Sequence, residues 1–157
     1  MNCGDLISSL EMLDGKRIRE LDWRDFESHC GTVLRENGYS VTGGVCFSNG
    51  ERKFQIDVVA AAQKHALCID CKAWKRGGGW GRSIRAAADQ LERTTELRSC
   101  LECKGLSYLE GLDLYPALVT LHHEGISIHE GVPIVPFEQL NAFLVDFDYY
   151  EDELARV

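Results

Sequence analysis

Two apolar stretches each carry one acid where a core residue would be expected: Phe54-Gln55-Ile56-Asp57-Val58-Val59-Ala60 and Leu67-Cys68-Ile69-Asp70-Cys71-Lys72. A lysine follows two positions after the second acid. Side chains alternate across a strand, so Asp70 and Lys72 share one face and Ile69 and Cys71 the other. A hairpin turning at Gln63-Lys64 sets Asp57 opposite Asp70, with Cβ atoms about 5 Å apart. Two carboxylates that close repel each other, and near a core they also lose hydration. A divalent cation removes both penalties, and an all-oxygen site suits Mg²⁺ or Mn²⁺. The Cys71 carbonyl, between the two site side chains on the second strand, is a further candidate oxygen ligand.

The elements that must position these groups follow from pattern and punctuation. Asp22 is a plausible N-cap for a helix from Trp23 to about Glu36, with Phe26, Cys30, Val33 and Leu34 on one stripe. Asn37-Gly38 ends it. Strands are expected over Tyr39–Phe47, 52–61 and 66–74, the first two joined through Ser48-Asn49-Gly50-Glu51. Gly77-Gly78-Gly79-Trp80-Gly81 interrupts the pattern. A helix from about Ser83 to Cys100 follows, its inward stripe read as Ile84, Ala87, Ala88, Leu91 and Thr95. Tyr115–Leu121 reads as a buried strand, 126–128 and 132–135 as short extended pieces, and Pro136 opens a last helix to about Val145. This order implies one mixed sheet covered by helices. Residues 1–20 read as an N-terminal extension, within which Asp5–Leu13 has the pattern of a short amphipathic helix; residues 21–157 read as a single domain ending in an acidic tail.

Composition bounds the possibilities. The 157 residues suffice for one domain with a real core. No apolar run approaches a membrane span, and the first residues have no basic region leading into an apolar one, so neither a membrane protein nor a secretory signal is expected. Seven cysteines, an odd number, suit a reducing cytoplasm better than a disulfide scaffold. Net charge is −8, which argues against nonspecific coating of nucleic acid. The charge is unevenly spread, however. Lys72, Lys75, Arg76, Arg82 and Arg85 fall in a stretch with no acid, whereas residues 138–157 hold six acids and one base.

A helix bearing an acid (Glu27), a hairpin with Asp57, a strand with Asp70-Cys71-Lys72, and then helix, strand and helix together resemble the PD-(D/E)XK nuclease superfamily. The likeness is greatest to Mrr-type restriction endonucleases and archaeal Holliday junction resolvases, and it covers about Leu21 to Val145. It implies a restriction-endonuclease-like α/β fold, three layers α-β-α around a central mixed sheet. It also implies a metal-dependent DNA endonuclease with Asp57 and Asp70 as metal-binding acids, Lys72 as catalytic lysine, and Glu27 completing or orienting the metal site. Gln90 matches a glutamine that some members place beside the site. Lys75, Arg76, Arg82 and Arg85 would contact phosphates flanking the cut, and many relatives act as homodimers. Ile56 stands where the name-giving proline would be, and Asp70 where many relatives have Glu or Gln.

Other readings of the same residues remain. A member of this fold can bind nucleic acid without cutting it. Trp74 and Trp80 could stack on bases, although packing is the simpler role. Cys68-Ile-Asp-Cys71 and Cys100-Leu-Glu-Cys103 are two CxxC pairs, a signature of zinc or redox proteins. Residues three apart on a strand point to opposite faces, so the first pair is expected to be unable to share a metal. His122, His123 and His129 lack metal spacing with any acid and are expected in a loop or at an edge. The glycine run has no Gly-Lys-Ser/Thr after it and is not a P-loop.

Overall fold

The computed structural model describes residues 22–74, 79–121 and 125–157. The expected helix at 5–13, the CxxC side chain of Cys103, His122, His123, and the candidate DNA contacts Lys75 and Arg76 lie outside what is described. Six strands form one sheet in the order β1-β2-β3-β4-β6-β5: β1 Ser40–Ser48, β2 Lys53–Ala61, β3 His65–Lys72, β4 Asp113–Thr120, β5 Ser127–His129 and β6 Val132–Pro136. The first three are antiparallel; β3, β4 and β6 are parallel; β5 returns antiparallel on β6. The parallel step from β3 to β4 requires a crossover, which α2 (Gly79–Arg98) supplies.

Helix α1 (Trp23–Glu36) starts where Asp22 caps it, its carboxylate accepting from the backbone N–H groups of Arg24 and Asp25. Phe26, Cys30, Val33 and Leu34 are buried as expected, against Val58, Ala60, Leu67 and Ile69. α3 (Leu140–Val145) and α4 (Phe147–Tyr150) join that face through Leu140, Phe143 and Phe147. α2 covers the opposite face, so the fold is the expected three-layer α/β arrangement.

The inward stripe of α2 is displaced from the expected one. Ser83, Ala86, Ala87, Gln90, Thr94 and Leu97 are buried, whereas Ala88 and Thr95 are exposed. The buried stripe carries Ser, Gln and Thr because part of it faces polar groups at the sheet, and an apolar count therefore selects the wrong side. The acidic C-terminal segment also folds onto the domain. Phe147 and Leu154 are buried among its acids, and Val157 exchanges backbone hydrogen bonds with Leu114 at 2.9 and 3.1 Å. Arg98 fastens this end by donating to the carbonyls of Leu112 and Val157.

A local irregularity in the β1–β2 hairpin decides where the site lies. The pairing runs from Ser40–Ala61 to Ser48–Lys53 and omits one couple, Gly44 with Asp57. Phe54 and Ile56 face the α2 side, whereas Val58 and Ala60, at the same parity, face α1. Val45 and Phe47 likewise lie on the side opposite Val41. Both strands thus reverse their facing at this couple. Gly44 permits the reversal with φ +63°, a conformation costly for a residue with a Cβ. Gly44→Ala should lower unfolding stability by about 1–2 kcal/mol. Gly43→Ala, where φ is not positive and the nearest backbone atom would be 3.8 Å from the new Cβ, should cost less; urea denaturation compares the two.

Candidate metal and active site

The β2–β3 register runs toward the two acids. Val58 pairs with Ile69, Val59 with Cys68, Ala60 with Leu67 and Ala61 with Ala66, so the next couple along is Asp57 with Asp70. The ladder stops one couple short of it. Beyond Ile69 the strands part, and the Asp57 carboxylate replaces the missing main-chain acceptor: Cys71 N–H donates to Asp57 Oδ2 at 2.8 Å. In a strand the N–H and C=O of one residue point to the same side. The Cys71 carbonyl therefore points to the same side as its N–H, toward Asp57.

Asp57 sits between the two faces. Its proton affinity is pushed up from near 3.8 to about 7, chiefly because burial strips water from the charged form; the Cys71 N–H opposes this, and the charges of Asp70 and Glu27 add to it. Asp70 projects to the α2 side and is only 4% exposed. Lys72 Nζ lies 2.8 Å from its Oδ2, and Arg93 Nη1 3.4 Å from its Oδ1. The lysine approaches as an ion pair but off the hydrogen-bonding direction, so Asp70 Oδ2 has no hydrogen bond. Glu27 comes from α1 on the other face. Burial raises its proton affinity, the Asp70 charge raises it further, and Arg24 opposes both.

Gln90 is fully buried and donates its amide to the Cys68 carbonyl at 2.8 Å, while its own carbonyl accepts from Arg93 at 3.3 Å. It ties α2 to β3 two residues before Asp70. Arg93, one helical turn along, was not singled out from the sequence; its spacing from Gln90 was the available signal. Arg82 and Arg85 are exposed near the start of α2, Arg82 over the Trp74 ring at 5.7 Å. Trp74 packs against the cluster of Leu118, Val132 and Ile134, whereas Trp80 is 53% exposed with its ring edge-on to His129. Trp23, on α1 one turn before Glu27, is 55% exposed.

The donor set fits a hard cation. Among the described residues, no three of His, Cys, Asp and Glu gather into a metal-holding group. Two carboxylates converge instead, with a carbonyl beside them and one acid a step back. Mg²⁺ is commonly held by one or two carboxylates and keeps several waters. Asp70 already has Lys72 and Arg93 as counterions, whereas among the described residues no basic side chain is paired with Asp57, whose proton affinity burial and the neighbouring carboxylates raise. The first CxxC pair is unsuited to a metal: Cys68 packs on the α2 side and Cys71 on the α1 side. Burial pushes the Cys68 thiol up to about 12; a hydrogen bond with Cys30, together with burial, holds the Cys71 thiol well above its usual range. Neither has the lowered pKa that activates a thiol.

A restriction endonuclease family, that of the Mrr catalytic domain, matches residues 18–100, more than half of the chain. An uncharacterized protein of Archaeoglobus fulgidus is 30% identical over 133 residues, covering 85% of this chain and 97% of that one. The chain belongs to this restriction endonuclease family, and its mixed sheet between helical layers is the restriction-endonuclease-like fold. A solved crystal structure of a protein of unknown function aligns at 16% identity and a TM-score of 0.40, over 60% of this chain and 46% of that one.

The raised proton affinity of Asp57 makes metal-free stability depend on pH. Below about pH 4 the folded and unfolded chains both hold this proton. Between about 4 and 7 only the folded chain holds it, so its contribution falls as pH rises through that window and is flat above 7. Asp57→Asn keeps an acceptor for Cys71 N–H and removes the titration. It should melt several degrees above wild type at pH 8 and lose that advantage near pH 4, as read by thermal denaturation in EDTA.

Proposed function

We propose that this chain is a metal-dependent DNA endonuclease that hydrolyses phosphodiester bonds with Mg²⁺ or Mn²⁺. The observation that carries the reading is the convergence of Asp57 and Asp70 at the parting of β2 and β3, with the Lys72 ammonium 2.8 Å from Asp70. Asp57, Asp70 and the Cys71 carbonyl would hold the cation, with Glu27 reaching it through water. When bound, the cation supplies a coordinated water of lowered pKa and neutralises charge on the phosphate.

The chain's own groups do the rest. Lys72 is the positive group nearest the carboxylates and stabilises negative charge that develops on the phosphate. Arg93 and Gln90 fix Asp70 and β3 from the α2 side. Arg82 and Arg85, with Lys75 and Arg76, provide phosphate contacts on the flank of the cut. These contacts hold DNA position and not sequence. Since the whole chain is acidic, binding depends on this local basic segment and is strongly weakened by salt. Among the described residues no helix is long and apolar enough to cross a membrane. A cytoplasmic site of action and a homodimer that cuts both strands complete the proposal.

The reading is tested by incubating plasmid and branched DNA with the protein and Mg²⁺ or Mn²⁺. Asp70→Ala should reduce cleavage to background, and Lys72→Ala should slow it about a hundredfold or more. Equal cleavage by wild type and Asp70→Ala would remove the catalytic claim and leave a DNA-binding module. Replacing Arg82 and Arg85 with Ala should reduce the salt slope of DNA binding by about one for each arginine.

A further inference from the structure

Among the described residues, two buried side-chain oxygens have no hydrogen-bond partner, and both lie at this site: Asp70 Oδ2 and Thr120 Oγ1. Thr120 is the last residue of β4 and 1% exposed. It is the register partner of Lys72 across the parallel β3–β4 pair, just as Leu118 is of Asp70. Leu118 packs on the α2 side, Val119 on the α1 side, so Thr120 returns to the α2 side, the face to which Asp70 and Lys72 project. A buried hydroxyl without a partner is unfavourable and calls for an explanation, of which use in another state of the site is one.

That other state follows from the lysine. In the structure the Lys72 ammonium occupies Asp70 Oδ2, the oxygen a cation would take. A cation and an ammonium cannot share it without strong repulsion. We infer that Thr120 is a positioning residue for Lys72: its hydroxyl is the second seat, which accepts the ammonium when a divalent cation displaces it from Asp70. The inference rests on the proposed metal site and adds to it a defined movement of one side chain. Lys72 competes with the cation in the resting site, and Thr120 holds it nearby, oriented for the reaction, in the loaded one. The neighbouring strand offers this acceptor with no backbone change.

Mn²⁺ affinity, read by calorimetry on the full chain without DNA, separates the possibilities. Thr120→Val, nearly isosteric, should weaken Mn²⁺ binding about tenfold, the worth of one hydrogen bond to a charged group, and Thr120→Ser should restore it. Lys72→Met should tighten Mn²⁺ binding by removing the competitor. In the Lys72→Met background, Thr120→Val should have no effect on affinity, because its role acts only through the lysine. Metal-free Thr120→Val should melt at or above the wild-type temperature, since it removes an unpartnered buried hydroxyl. An equal loss of affinity in both backgrounds, or wild-type affinity in Thr120→Val, overturns the inference while leaving the metal site intact. Failure of the wild type to bind Mn²⁺ overturns both.

Discussion

Two carboxylates facing each other at the edge of a core are the constraint to which the rest of this structure answers. Their repulsion and lost hydration must be offset within a few ångströms. Three groups do so in the metal-free chain: the Cys71 N–H on Asp57, and Lys72 and Arg93 on Asp70. A fourth response is the retention of a proton by Asp57 near neutrality. Each of these is a device a cation would replace or displace. The metal-free site is thus held together by a backbone N–H, two basic side chains and a retained proton.

The backbone makes this arrangement possible through a single irregularity. A regular β2 would send Asp57 toward one helical layer and leave the β2–β3 ladder closed. The reversal at Gly44 and Asp57 keeps Asp57 near the sheet plane, where the parting strands leave a gap lined by carboxylate and carbonyl oxygen. The layers then contribute separately. α1 brings Glu27 to one side of the gap; α2 brings Gln90 and Arg93 to the other, with Gln90 bonded to the very strand that carries Asp70 and Lys72. Assembly of the site therefore requires the complete three-layer fold, although most of its residues fall in a short span of chain.

Much of this was legible in the sequence because it depends on local rules. The nearness of Asp57 and Asp70 follows from one turn position, and the observed pairs Val58–Ile69 to Ala61–Ala66 run toward that couple; the facing of Asp57 does not follow the two-residue period, because β2 reverses there. The Asp22 cap and the buried stripe of α1 follow from helical geometry, and the opposite facing of Cys68 and Cys71 from strand alternation. The stripe of α2 was misplaced for a physical reason. Residues that face a polar site inside a core do not look hydrophobic, so an apolar stripe leaves out Ser83, Gln90 and Thr94, which are buried. The C-terminal segment misled in the reverse sense, its acids masking Phe147 and Leu154, which anchor it.

Chemistry written into the order of residues determined the acids, their partner lysine, the family resemblance and the succession of strands and helices. All these rest on spacings of a few residues, which bond geometry fixes. Tertiary structure alone decided that the hairpin reverses its facing at Asp57, that Arg93 reaches Asp70 from α2, and that Thr120 of β4 lies beside Lys72 with its hydroxyl unused. Those relations join residues as far apart in the chain as Lys72 and Thr120, and they arise only when packing of separate elements brings two faces together. Local propensity has no term for that.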